Sequence, residues 1–269
     1  MELESRLYYM SKISAFSPRG AVSFLIAALL ASVVPACSEI PEVVEFSLGT
    51  GASGGVYQDA GRSIARSVNG DREVLGFSLD DVPSPGSASN INAVVDGTLD
   101  FGIAQADHQF QAYYGLGSWE SQGEQSSLRS VLSLYTESVT LLAGADTEIR
   151  TISDLADKRV DIGEPGSGTR LNAIDALQAA GMNWQSDIRV HEEPSGERLA
   201  SFIHGDVDAF FYTVGHPTTV ANFATYSVRG GRFVELEGVE GLLESKSYYS
   251  RSSIPVGLYP RASNLEDVQ

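Results

Sequence analysis

FSLGTGASGG (residues 46–55) and VDIGEPGSGT (residues 160–169) are the two stretches on which the fold turns. Each begins apolar enough for a buried strand, breaks into glycines and small hydroxyl residues, and runs on into a helical stretch. That succession is the repeating unit of parallel α/β structure. A second pair follows in the same order. GTLDF (residues 97–101) and GDVDA (residues 205–209) each open with a glycine that stops a helix, then lead through an aspartate into an apolar strand. Similar parts at nearly constant spacing read as two similar α/β lobes. The competing reading is chance recurrence of ordinary α/β punctuation.

Working outward, residues 43–48, 99–104, 130–135, 139–143, 159–163, 187–191 and 208–212 read as strands. Residues 55–68, 90–95, 107–114, 168–180 and 195–204 read as helices, with a shorter one over 153–158 and another opened by Pro217 at its first position. Residues 80–90 read as a Pro/Gly/Ser-rich loop. This alternation predicts parallel sheets.

The first 36 residues stand apart. Arg6, Lys12 and Arg19 precede an apolar run over 21–34, and small residues lead to Ala36 and Cys37. A basic segment, an apolar run too short to span a bilayer and a small-residue cleavage site make a secretory signal. Cys37 is the only cysteine, so an intramolecular disulfide is excluded. It stands either as a lipidation site in a lipobox-like context or beside plain cleavage. The expected location is periplasmic or extracytoplasmic, with a lipid anchor through Cys37 in the first case. A formal net charge of −17 repels nucleic acid phosphates, so nucleic acid is excluded as a partner.

The chemistry follows from the two Gly/Ser turns. In open parallel sheets, ligands sit beyond the carboxyl ends of the strands. A helix start there offers backbone N–H groups and a positive dipole end to an anion. Ser53, Ser167 and Thr169 add hydroxyls, and the glycines let a ligand approach the backbone. If the lobes face each other, a dicarboxylate, or an amino acid with two oxygen-rich ends, fits between them.

Enzyme readings carry less. Gly49, Gly51 and Gly54 match a dinucleotide fingerprint, which is a weak signal alone. Gly51, Ser53 and Gly55 match a nucleophile elbow, but after the first strand and not deep inside a sheet. His108, His191, His204 and His216 lack metal spacing. Glu137 has no evident paired acid. The expectation is a binding protein and not an enzyme, with no catalytic residue, metal or cofactor.

Six blocks, in order, carry a family resemblance: TGASGGVY (50–57), LDFGIAQAD (99–107), SLYTE (133–137), EPGSGT (164–169), DAFFYTVGHP (208–217) and IPVGLYP (254–260). They resemble the TAXI family, the substrate-binding receptors of one class of TRAP transporters. The resemblance implies a two-lobed, type II periplasmic-binding-protein fold. Lobe 1 is then expected over 37–136, lobe 2 over 137–244, and a return to lobe 1 over 245–269. The C-terminal part of lobe 1 is expected to be truncated, with lower stability. By matching motif, Ser53, Gly54, Tyr57 and Gln105 face the ligand from lobe 1, and Tyr135 and Glu137 lie at the crossover. Ser167, Gly168, Thr169, Thr213 and Gly215 answer from lobe 2. The implied partners are a small carboxylate-bearing solute, glutamate-like or dicarboxylate, and a TRAP-type membrane permease, the receptor itself being a monomer. A sensor or surface lipoprotein of the same fold is the alternative. Gln58 and Glu164 depart from the family pattern, and Glu164 sets a negative charge beside the second glycine turn.

Overall fold

The computed structural model describes residues 43–192 and 196–269. The leader, Cys37 and the expected helix start at residue 195 lie outside the described residues. Two sheets carry the fold. The first has the order β2-β1-β3, formed by β1 (Val44–Gly49), β2 (Phe77–Val82) and β3 (Phe101–Gly102), all parallel. Its helices are α1 (Val56–Gly70), the single turn α2 (Arg72–Leu75), α3 (Ser87–Asp96) and α4 (Ala106–Tyr114).

The second sheet has the order β6-β5-β7-β4-β8. Its strands are β4 (Ser138–Gly144), β5 (Arg159–Asp161), β6 (Arg189–His191), β7 (Ala209–Val214) and β8 (Gly231–Val234). Helices α5 (Gly168–Ala179), α6 (Arg198–His204), α7 (Thr219–Tyr226) and α8 (Glu240–Ser245) complete this lobe. The expectation of parallel sheets holds for β5, β6 and β7, but β4 runs antiparallel to both β7 and β8. A strand that enters from the other lobe and lies between two outgoing strands has no helix to reverse it.

Alternation explains how this sheet buries both faces. Leu141, Ala143, Ala209 and Phe211 join Val160, Ile162 and Leu177 on one side. Leu142 and Phe210 point the other way, toward Phe202, Ala224, Phe233 and Tyr259. The first sheet has a smaller core of Leu48, Leu79, Ile103 and Ala65, with Phe46 and Ile64 beside it.

Four expectations are corrected. Residues 130–135 form no strand; Val131 is 74% exposed and Leu132 64% exposed, because β-propensity without a ladder partner makes no strand. The loop expected over 80–90 contains the end of β2 and the start of α3. β8 and α8 were not anticipated. Pro217 lies ahead of α7, which begins at Thr219. The last segment divides. Tyr248 reaches lobe 1 through Gln111 (3.0 Å) and Phe110. Ile254, Tyr259 and Val268 pack on the second sheet, not on lobe 1 where the chain was expected to return.

Candidate functional site

The carboxyl ends of β5 and β7 and the amino end of β4 lie on one rim of the second sheet, since β4 is antiparallel to β7. The starts of α5 and α6 follow β5 and β6 on that rim. From the first lobe come the Gly/Ser turn after β1, the start of α3 and the start of α4. Main-chain approaches mark where the two rims meet. Ser89 N–H donates to Gly166 O at 3.1 Å. A Cβ built on Gly86 lies 3.8 Å from Ser167 Cα, and one on Gly196 lies 3.6 Å from Ser53 O. The glycine turn of 163–168 therefore faces the start of α3, while the turn around Ser53 faces the start of α6. Both glycine turns lie at the junction of the two lobes. The partner of each is a helix start that the sequence reading did not single out.

Several expected contact residues are engaged in a polar seam between the lobes. Gln105 Nε2 donates to Asn172 Oδ1 at 2.6 Å, and Gln105 Oε1 accepts from Ser87 Oγ at 3.2 Å. Asn172 Nδ2 donates to Asp107 Oδ2 (2.6 Å) and Tyr249 Oη (2.8 Å). Thr213 Oγ1 donates to Asn172 Oδ1 at 3.0 Å, and Thr169 Oγ1 accepts from Thr213 N–H at 3.2 Å. Gly168 presses directly on the Gln105 amide, which leaves no room for a side chain there. Ser167 caps α5, its Oγ accepting from Arg170 N–H at 3.1 Å. Gln105, Gly168, Thr169 and Thr213, expected to face a ligand, meet one another here, and their polar groups join the lobes.

The N–H groups of the first glycine turn are also partly occupied. Gly54 N–H donates to Gln58 Oε1 at 2.9 Å, and Gly55 N–H to Ala52 O at 2.9 Å. Gln58, noted as a departure from the family pattern, is buried and braces this turn. Ser53 and Gly54 remain exposed.

Beside the seam lies a group of aromatic and charged side chains. Tyr57 Oη donates to Glu137 Oε2 at 2.7 Å. Burial pushes the Glu137 carboxyl up to about 7; the Tyr57 hydrogen bond opposes this and the charge of Asp107 adds to it. Burial, then the charge of Glu137, raises the Tyr57 phenol well above its ordinary range. Tyr135 is raised by burial and by Glu137, and Gly215 packs on its ring, where a Cβ would lie 3.1 Å from Cδ2. Tyr212 is raised by burial, with Arg198 opposing and Glu137 adding. The guanidinium of Arg198 stacks over the Tyr212 ring at 5.1 Å. Its Nε donates to Asp161 Oδ2 at 2.7 Å, while the other oxygen, Oδ1, accepts from Gly163 N–H at 2.6 Å.

Sequence reasoning missed Arg198, Asn172, Ser87, Tyr212 and Asp161. Asp161 and Tyr212 stand inside quoted motifs at strand ends, a signal that marked them for inspection. Nothing local distinguishes Arg198 or Asn172. His216 is tied elsewhere: Tyr259 Oη accepts from Thr218 N–H at 2.8 Å and hydrogen-bonds His216 Nδ1 at 2.6 Å, while His216 Nε2 meets Thr140 Oγ1 at 2.8 Å. Burial lowers its pKa, in keeping with a neutral ring that holds the C-terminal segment to the sheet. A shallow hollow between β4, β8 and this segment is lined by Thr140, Phe233, Ile254 and Val268 among others, and by no charged side chain. No group of three or more potential metal ligands occurs among the described residues, and no helix there is long and apolar enough to cross a membrane.

Residues 48–269 match the NMT1-like family. Solved structures of similar shape include the periplasmic aliphatic sulphonate binding protein SsuA from Escherichia coli (TM-score 0.43, 18% identity, 70% of this chain and 59% of that chain). An ancestral arginine-binding protein bound to arginine gives a TM-score of 0.45 at 14% identity, over 77% of this chain and 96% of that one. A TRAP periplasmic solute binding protein from Sulfitobacter sp. NAS-14.1, with bound β-D-galacturonate, gives 0.39 at 12% identity, over 62% and 61%.

Proposed function

The chain belongs to the NMT1-like family, and from that membership together with the junction of its lobes we propose that it is an extracytoplasmic solute-binding receptor. It closes two α/β lobes on a small carboxylate-bearing solute, a glutamate-like amino acid or a dicarboxylate, and delivers it to a TRAP-type permease as the TAXI-like motifs imply. It catalyses no reaction. The observation that carries this reading is the convergence of glycine turns and helix starts from both sheets on the junction between the lobes, with main-chain contact between Ser89 and Gly166. Helix starts supply oriented N–H groups and a positive dipole end, which suit an anion. The seam of Gln105, Asn172 and Thr213 supplies the latch of a closed form. Export by the leader, with or without acylation of Cys37, belongs to the same proposal.

The test is a thermal-shift and calorimetric screen of amino acids and dicarboxylates. A true ligand at 100 times its Kd stabilises the protein by about 2.7 kcal/mol. Absence of any shift across that panel would defeat the receptor reading.

A further inference from the structure

The segment 246–252 leaves the second lobe, touches the first and comes back. It starts at the end of α8, where Lys246 Nζ pairs with Asp175 Oδ2 of α5 at 2.7 Å. Tyr248 Oη then accepts from Gln111 Nε2 of α4 at 3.0 Å, and its ring packs on Phe110 with centroids 5.4 Å apart. Tyr249 returns to α5, its Oη donating to Asp175 Oδ2 at 3.0 Å. Ser252 Oγ lies 2.7 Å from Ser138 Oγ at the head of β4, and Ile254 enters the core of the second sheet. A segment that merely joined the lobes would run on into the first. One that crosses for the reach of a single side chain and turns back acts as a fastener.

Its hold on the two lobes is unequal. Lys246, Tyr249 and Ser252 grip the second lobe, two of them through the carboxylate of Asp175. Tyr248 alone grips the first, by one neutral hydrogen bond and one ring contact. Bonds to a charged group outlast neutral ones, so the first lobe is the end that lets go. The seat for Tyr248 is preset. Gln111 is 7% exposed, and Gly117 leaves no space beside its Oε1, which keeps Nε2 turned toward the phenol.

The fastener also connects to the seam. Tyr249 Oη accepts from Asn172 Nδ2 at 2.8 Å, while the same amide donates to Asp107 and accepts from Gln105 and Thr213. Both donors and both acceptor positions of Asn172 are thereby filled, and Tyr249 fixes which way the amide faces. Burial, then the charges of Asp107 and Asp175, push the Tyr249 phenol up, so it keeps the proton that it gives to Asp175.

We propose that residues 246–252 are a clasp that holds the two lobes together without any solute, fixed to the second lobe and released from the first at Tyr248. Clasp and seam act through Asn172 as one latch. In a receptor this sets the pace of solute entry and exit, since the lobes part only after Tyr248 has left Gln111. The clasp needs two lobes and no solute, so its failure and that of the receptor reading are separate results.

Ser89 N–H is the reporter. It lies in the first turn of α3, where the helix offers it no acceptor, and its partner is Gly166 O of the other lobe. Its exchange with deuterium, followed by nuclear magnetic resonance on the full, solute-free chain, therefore reads the parting of the lobes. Tyr248→Ala is expected to speed exchange at Ser89 about 10-fold or more, to enlarge the radius of gyration, and to leave the amides of β4 as slow as before. Tyr249→Phe, which strands an Asn172 hydrogen, is expected to act in the same direction. Arg251→Ala is the control, since that side chain is exposed and its pairing is a 4.0 Å contact with Glu240; it is expected to change nothing. Should Tyr248→Ala unfold, Tyr248→Phe keeps the ring, deletes the Gln111 bond and is expected to give about a 3-fold acceleration. Unchanged exchange at Ser89 in Tyr248→Ala, or in Tyr248→Phe where the alanine variant does not fold, overturns the clasp. So does an equal acceleration in Arg251→Ala.

Discussion

Glu137 is held at the crossover between lobes in a place that disfavours its charge. Its folded-state pKa, near 7, lies above the ordinary carboxyl value of 4.5. The native carboxyl therefore holds its proton more tightly than the unfolded one. Its stabilising contribution is fully present below about pH 4.5 and is lost as the pH rises through about 7. The free protein should lose on the order of 2–3 kcal/mol between about pH 5 and about pH 8 from this group. Glu137→Gln should flatten that part of a melting-temperature profile; an unaltered profile would refute the assignment. Gly168 is constrained for another reason. A methyl group there collides with the Gln105 amide in the seam, so Gly168→Ala is expected to hold the lobes apart. The measurable result is weaker ligand binding, by about 10-fold, at near-normal thermal stability.

At the level of elements, α3 does more than cover the first sheet. Asn90 Nδ2 donates to Thr50 O at 2.7 Å and to Ile103 O at 2.8 Å, tying the ends of β1 and β3 together beneath the glycine turn. Asn90→Ala removes both bonds, although Thr50 O keeps Ser84 Oγ at 3.2 Å, and should cost about 2 kcal/mol. Urea titration would register this as a lower midpoint at an unchanged slope; a change under about 0.5 kcal/mol would show that the tie is dispensable. This helix also shows the limits of local reading. From sequence its start reads as a loop, because PSPGS (residues 83–87) is rich in turn residues. The same proline and glycine position Ser87 opposite the second glycine turn. Conversely, VLSLY (residues 131–135) has strand composition but no strand, since a ladder needs a second chain segment that composition does not supply.

For the whole molecule, the receptor reading makes the seam the element that balances open against closed forms. Asn172 joins Gln105 and Asp107 of one lobe to Thr213 and Tyr249. Removing its amide should shift the population toward open, so Asn172→Ala is expected to raise the ligand dissociation rate and the radius of gyration by small-angle scattering. No change in either would mean the seam is not the latch. The net charge of −17 acts at longer range. It slows the approach of any anionic solute, and salt screens it. Association with glutamate should therefore speed up between about 10 mM and about 150 mM salt; a slower rate would point to a locally positive approach path.

The sequence by itself determined the alternating α/β character and the two glycine turns. These are written in windows of a few residues, where backbone freedom and apolar periodicity decide the outcome. Tertiary structure alone decided that β4 runs antiparallel, that Asn172 bridges the lobes, and that Arg198 pairs with Asp161 against the Tyr212 ring. Each of those depends on groups brought together from distant parts of the chain, and burial and charge pairing exist only after the chain has closed on itself.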